Sequence, residues 1–150
     1  MDVRLLPKNK SLPMELLLEA DPSEKMVRDY CGRGLVYEAT TDGKLIGVYV
    51  LLPLADSTME IKNVAVAESI RGKGYGKKLV LHALAEAKRL SFHRVEIGTG
   101  NSSLDQLALY QKCGFRIDSI DRDFFVRNYP EPIMENGIQC RDMIRLTYDF

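Results

Sequence analysis

The sequence predicts an α/β (α+β) fold in a single domain, with one mixed central β-sheet flanked by helices. Three observations lead there. The 150 residues match the usual size of one domain, and 45% hydrophobic with 28% charged residues supplies both a core and a solvated surface. Between Leu35 and Val66 three strand-like runs follow one another with no helix between them, which is the pattern of an antiparallel sheet. Beyond Val66 strand and helix alternate twice, which is a parallel crossover unit.

Taken in order, Val3 to Leu6 reads as a first strand, and Leu12 to Ala20 and Ser23 to Cys31 as two helical pieces separated by Asp21-Pro22. Leu35 to Thr40 and Lys44 to Leu52 are rich in Val, Ile and Tyr and flank Thr41-Asp42-Gly43, a strong hairpin signal. Met59 to Val66 continues as a third strand of this run. From Gly76 to Leu90 the period changes: Leu79, Ala83, Leu84, Ala87 and Leu90 recur at helical spacing, giving an amphipathic helix of about four turns. Arg94 to Gly98 alternates as a strand, and Ser103 with Gln106 forms the signature of a capping box for a helix ending at Cys113-Gly114. The remaining segment holds two strand candidates, Phe115 to Val126 and Ile138 to Tyr148. They are joined by a loop in which Pro130 and Pro132 forbid regular pairing, and by the turn pair Asn136-Gly137.

Composition narrows the function. Twenty-one basic residues balance twenty-one acidic ones, so a protein devoted to neutralising a nucleic acid backbone is disfavoured. Cys31, Cys113 and Cys140 are odd in number, with no CxxC spacing, and His82 and His93 lie far from them. No structural metal site and no disulfide framework is expected, and the setting expected is the cytoplasm. The first residues lack the pattern of a signal peptide, and the longest apolar run, Ile46 to Ala55, is too short to span a membrane.

The most informative segment joins a strand to the amphipathic helix: Val64-Ala65-Val66, then Arg71-Gly72-Lys73-Gly74-Tyr75-Gly76-Lys77-Lys78. Alternate glycines let the backbone approach a ligand closely, and the unpaired amides of a first helical turn favour an anion. Arg71, Lys73, Lys77 and Lys78 add positive charge suited to a pyrophosphate. A bare glycine turn with a solvated basic helix start is the plainer reading of the same residues. The P-loop spacing fails for want of a hydroxyl after Gly76-Lys77-Lys78 and of a glycine at position 71. The dinucleotide fingerprint fails because Lys77 stands where its last glycine belongs. A second GxG, at Gly98-Thr99-Gly100, follows a strand as in methyltransferases, but too little chain remains to complete such a sheet.

Arg71-Gly72-Lys73-Gly74-Tyr75-Gly76 resembles the (Q/R)xxGx(G/A) motif of the GNAT superfamily, the Gcn5-related N-acetyltransferases that use acetyl-CoA. At the proper distance, Asn101 followed by Leu109-Tyr110-Gln111-Lys112-Cys113-Gly114-Phe115 resembles that family's N…LYxKxGF element. The resemblance implies an N-acetyltransferase domain over residues 1–150. It further implies that Val64, Ala65 and Val66 pair with the pantetheine arm of acetyl-CoA, and that the turn from Arg71 through Gly72, Lys73, Gly74, Tyr75 and Gly76 to Lys77 holds the pyrophosphate. Asn101 would bond the pantetheine region. The cofactor would fill an opening between Met59–Val66 and Arg94–Gly98.

In the implied chemistry a neutral amine attacks the thioester carbonyl, the amide of Val66 stabilises the oxyanion, and Tyr110 donates toward the departing sulfur. Glu60, on the strand leading to the cofactor, is the candidate base, sharing a face with Lys62, Val64 and Val66 by simple alternation. Tyr110 read by itself is a helix-edge aromatic, and Glu60 a solvated strand residue. Phe124, Phe125 and Tyr129 read as core and loop packing, near where the family's last hairpin borders its acceptor pocket. Seven acidic residues against four arginines between Asp118 and Asp149 point to a cationic amine as acceptor. A homodimer is expected by analogy only. The competing classes are a non-catalytic acyl-CoA sensor with this fold and a nucleic-acid module using Arg71 to Lys78. Binding without turnover marks the first, and steep loss of binding with salt marks the second.

Overall fold

The computed structural model describes residues Met1–Phe150. Strand β1 (Asp2–Leu5) is followed by helices α1 (Met14–Ala20) and α2 (Glu24–Arg33), the second capped by the Ser23 hydroxyl, which accepts from the Met26 amide at 3.2 Å. Strands β2 (Leu35–Thr41) and β3 (Lys44–Pro53) form the expected hairpin, with Asp42 and Gly43 both at positive φ, as a two-residue turn of this hand requires. Strand β4 (Thr58–Val66) leads through a short 3-10 turn, Glu68–Ile70, into α3 (Tyr75–Arg89), and β5 (Arg94–Gly100) and α4 (Leu104–Lys112) complete the crossover.

The C-terminal segment is more divided than its sequence pattern predicts. The first expected strand stops at Asp121 (β6, Arg116–Asp121); Asp123 then takes a left-handed φ of 61° and starts the short helix α5 (Phe124–Asn128). The second is split into β8 (Ile138–Cys140) and β9 (Met143–Asp149) at Arg141-Asp142, and an additional strand β7 (Ile133–Glu135) pairs with β8 across Asn136-Gly137. The sheet proper therefore has seven strands in the order β1-β2-β3-β4-β5-β9-β6, and β7-β8 is a separate ribbon. The capping box is also absent: Ser103 makes no cap bond, and its hydroxyl is turned instead to Glu135 of β7, to which it donates at 2.8 Å.

Each face of the sheet carries its own core. Helix α3 lays Leu79, Val80, Ala83, Leu84 and Ala87 on one face, with Tyr49, Met59, Ile61, Val95, Ile97 and Tyr110. Leu79, Val80 and Leu84 each contribute roughly 1.5–3 kcal/mol by this burial. Helices α1 and α2 cover the other face with Leu16, Leu17, Val27 and Tyr30 against Val48, Val50 and Ala65. No helix is long and apolar enough to cross a membrane.

Candidate active site

The site begins with an irregularity in β4. Val50 of β3 pairs with Asn63 and Leu51 with Ile61, so Lys62 is an extra residue, a β-bulge. A bulge increases local twist and swings the rest of its strand aside. The parallel pairing of β4 with β5, the only parallel pair of the sheet, accordingly ends at Ile61 and Ile97, and the two strands separate beyond that point.

The bulge overturns the alternation expected of this strand. Glu60 pairs with Leu52 and Asn63 with Val50, so both face α1 and α2, while Val64 and Val66 lie on the opposite, α3 face. Lys62 remains close to Glu60, its Nζ 3.6 Å from Oε2, and Arg145 Nη1 stands 3.7 Å from the same oxygen. The Lys62 ammonium also lies 5.5 Å above the Tyr30 ring.

Backbone direction sorts the three residues expected to meet a cofactor arm. The Ala67 amide donates to Ile46 of β3 at 2.8 Å, so alternation points the Ala65 amide to β3 as well and turns those of Val64 and Val66 toward the opening. The carbonyl of Val66 accepts from Arg71 Nε at 3.1 Å, and Arg71 Nη2 is paired with Glu19 of α1. Arg71 thus staples the glycine turn to the end of β4 and to α1, with its charge offset by Glu19.

Gly72 and Gly74 have φ of 81° and 83°, a conformation that costs an L-residue about 1–2 kcal/mol, and a Cβ at either would meet only open space. The turn therefore faces outward with nothing filling it. The Lys78 amide is bonded to the Gly74 carbonyl at 3.2 Å, which leaves the first-turn amides of Tyr75, Gly76 and Lys77 without intrahelical acceptors. Gly76 brings α3 near Leu109 of α4, and Lys78 Nζ lies 5.1 Å from the Tyr75 ring centre. Lys73 and Lys77 have no ion-pair partner. The turn fits a bound pyrophosphate through its open side, free amides and unpaired ammonium groups.

A cleft of about 420 Å³ adjoins the opening and is lined from both faces of the sheet. Glu60, Lys62, Asn63 and Val64 of β4, Gly98 and Thr99 of β5, and Gln106 and Tyr110 of α4 contribute, as do the α1–α2 turn and α5. Tyr110 is 5% exposed; burial pushes its phenol above the ordinary tyrosine value, and no protein group bonds its hydroxyl. Glu60 is 9% exposed. Asn63 donates through Nδ2 to Leu17 O at 3.0 Å and Tyr30 Oη at 2.9 Å, leaving Oδ1 without a partner. Its signal in the sequence is an amide set between Lys62 and the apolar run Val64-Ala65-Val66.

Asn101 stands apart from this group. Its Nδ2 donates to Gln139 O at 3.1 Å and its Oδ1 accepts from the amides of Arg141 and Asp142 at 2.8 and 2.9 Å, so the side chain is engaged in holding the β8–β9 corner. It does not line the cleft. The C-terminal acids are placed differently from their expected role too. Asp121 pairs with Arg127, Asp123 with Arg141 and Asp149 with Arg94, and only Glu135 of the seven lines the cleft. Of the acids that do line the cleft, Glu19 is paired with Arg71 and Glu60 lies beside Lys62 and Arg145, so the uncompensated negative charge there comes from Asp21 and Glu135. Cys31, Cys113 and Cys140 are free and buried, with burial raising all three thiols, and no cluster of His, Cys, Asp or Glu is arranged to hold a metal.

Comparison with known proteins bears on the same residues. A family profile described as Acetyltransferase (GNAT) family matches residues 7–115, which includes the bulged strand, the glycine turn and Tyr110. The uncharacterized N-acetyltransferase YvbK of Bacillus subtilis (strain 168) is 58% identical over 135 residues, covering 90% of this chain and 87% of that protein. The structure of IAA acetyltransferase from Bacillus cereus ATCC 14579 superposes with a TM-score of 0.96 at 56% identity, covering 99% of both chains. A GNAT family acetyltransferase from Elizabethkingia anophelis, with acetyl-CoA bound, gives a TM-score of 0.97 at 46% identity, covering 99% of this chain and 97% of that one. With the splayed strands, the open glycine turn and these likenesses in agreement, this chain belongs to the GNAT acetyltransferase family.

Proposed function

We propose that the protein transfers the acetyl group of acetyl-CoA to a primary amine by direct attack on the thioester. The observation that carries this is the opening between β4 and β5, which leaves the Val64 and Val66 amides unpaired and connects the open glycine turn to a cleft holding both Glu60 and Tyr110. The acetyl-CoA bound to the Elizabethkingia relative supports the choice of co-substrate.

In this reading, the glycine turn and the first-turn amides of α3 bind the pyrophosphate, and Val66 holds the pantetheine arm as part of an added strand. The Val64 amide, on the residue that lines the cleft with Glu60 and Tyr110, stabilises the developing oxyanion in place of the Val66 amide expected from the sequence, a kind of contact worth roughly 3–4 kcal/mol in other enzymes. Glu60 and Tyr110 reach the opening from opposite faces of the sheet. The amine therefore approaches from the α1–α2 side and the thiolate departs toward α4.

An amine with a pKa of about 10.4 is neutral in only about one molecule per thousand near pH 7.4, a cost of roughly 4 kcal/mol. Glu60 accepts the amine proton directly or through one water and so relieves part of that cost. Tyr110 begins about 1.5 units less acidic than a thiol, and burial raises it further, so full proton transfer to sulfur is unfavourable. Its contribution is a hydrogen bond that strengthens as the thiolate forms. The acidic lining of the cleft favours an acceptor that arrives as a cation. Calorimetric titration with acetyl-CoA, CoA and ATP, followed by thiol release across an amine panel, tests the reading. A preference for the CoA compounds and release with a subset of amines are expected, and equal binding of ATP contradicts it.

A further inference from the structure

The two walls of the acceptor side come from opposite ends of the chain, the α1–α2 turn and the segment around α5, and one hydrogen bond joins them. Tyr129 Oη donates to Asp21 Oδ1 at 2.8 Å, across 108 residues of sequence. No other hydrogen bond or ion pair links these segments. We propose that this Asp21–Tyr129 bond is a latch that closes the acceptor side of the cleft, so that the acceptor is a small amine with an apolar body and not a peptide or protein N-terminus. This rests on the acetyltransferase reading above and adds the class of its acceptor.

Both partners are held in place. Asp21 also accepts from the Ser23 amide at 3.1 Å and from Tyr30 Oη at 3.1 Å, and Tyr30 in turn accepts from Asn63 of the bulged strand. A continuous chain of hydrogen bonds thus runs from the floor of the cleft to its rim. On the other wall Tyr129 stacks on Phe125, with ring centres 5.6 Å apart, and Phe125 packs edge-on against Phe124 at 5.1 Å. Burial and the Asp21 carboxylate raise the Tyr129 phenol, so it stays a neutral donor through the physiological range.

Size and lining agree with a small acceptor. About 420 Å³ lies toward the lower end of small-molecule sites, and the acyl end of the co-substrate must share it. Leu18, Met26, Phe124, Phe125, Ile133 and Met143 suit an apolar body, while Asp21 and Glu135, which have no ion-pair partner, supply negative charge for a cationic amine. A peptide chain entering amine first must leave across the rim that the latch bridges.

The test compares the full-length protein with Tyr129→Phe, which keeps the ring stack and removes only the bond. Thiol release is measured with phenylethylamine and with a hexapeptide bearing a free alanine N-terminus, alongside acetyl-CoA affinity and hydrogen exchange. The wild type should favour phenylethylamine by at least about tenfold in kcat/KM, and Tyr129→Phe should raise the hexapeptide value by about tenfold, as expected for loss of one bond to a carboxylate. Exchange should quicken together around Asp21 and over Phe124–Asn128, with acetyl-CoA affinity unchanged. Wild-type use of the hexapeptide on a par with phenylethylamine, or an unchanged ratio and unchanged exchange in the variant, overturns the latch. If acetyl-CoA binds but neither these probes nor any amine of the wider panel is acetylated, the acetyltransferase reading fails, and with neither probe turned over the exchange comparison alone decides the latch: joint quickening supports it and no change overturns it.

Discussion

Replacing Tyr110 with Phe removes one hydroxyl that bonds to no protein group, from a ring packed against Phe115 at 6.2 Å between centres. Folding stability should therefore change little, since no buried partner is orphaned. Catalysis should change more. A hydrogen bond to an ionised partner contributes about 1.5–3 kcal/mol, and if it forms with the departing thiolate alone, its loss lowers kcat by roughly 10- to 150-fold. The KM for acetyl-CoA should move far less, because the bond is made after binding. Burial raises the phenol above its ordinary value of about 10, so the wild-type rate should show no descending limb from Tyr110 up to that pH. Stopped assays of thiol release over pH 6 to about 9.5, with thermal melts of both proteins, supply every quantity. A kcat for Tyr110→Phe within about twofold of wild type would refute the role given to the phenol. A wild-type limb in the normal tyrosine range that the variant lacks would instead support the donor role and contradict the upward shift that burial gives the phenol.

Three other outcomes follow from particular contacts. Asn101→Ala should lower stability by about 1–3 kcal/mol, because it strands the Arg141 and Asp142 amides and the Gln139 carbonyl, while leaving acetyl-CoA affinity within about threefold; weakened binding at unchanged stability would contradict this. Gly74→Ala forces a left-handed alanine at the start of α3, so the melting temperature should fall by about 2–6 °C and CoA should bind several-fold more weakly, and an unchanged titration would count against the cradle. Glu86 is held at about 2 by the Arg89 guanidinium, with a further hydrogen bond from Tyr37, against an unfolded value of about 4.3. The unfolded chain then binds the proton more tightly, so this contribution is complete above the unfolded value and is lost as pH falls through the folded one. Melting temperatures from pH 5 down to about 2 should drop more steeply for wild type than for Glu86→Gln, and parallel curves would be the contrary result.

Much of this architecture was legible in the residues. The hairpin at Asp42-Gly43, the amphipathic face of α3 and the crossover to β5 follow from local chemistry that nothing in the tertiary structure opposes. The glycine turn was legible for the same reason, because only its own backbone conformation demands Gly72 and Gly74. Features that depend on distant partners were not. The bulge at Lys62 has no glycine or proline to mark it, yet it moves Glu60 to the face opposite Val64. Ser103 carries the pattern of a helix cap but meets Glu135 in space, and Asn101 is drawn to a corner formed some forty residues later. Phe124 to Asn128 has the composition of a strand and becomes a short helix after the left-handed Asp123, whose amide donates to Asp142 at 2.9 Å. Asp21 looked like punctuation between helices, and its carboxylate is the bond that joins the cleft walls.

The central claim is that the opening between β4 and β5 carries out acyl transfer. Simultaneous measurement of free CoA thiol and of acetylated amine, with purified protein, acetyl-CoA and a panel of small amines, tests it most directly. The account predicts thiol and N-acetyl product in equal amounts for at least one amine. Acetyl-CoA binding with no thiol released across the panel would contradict it and favour a protein that senses the cofactor without turning it over.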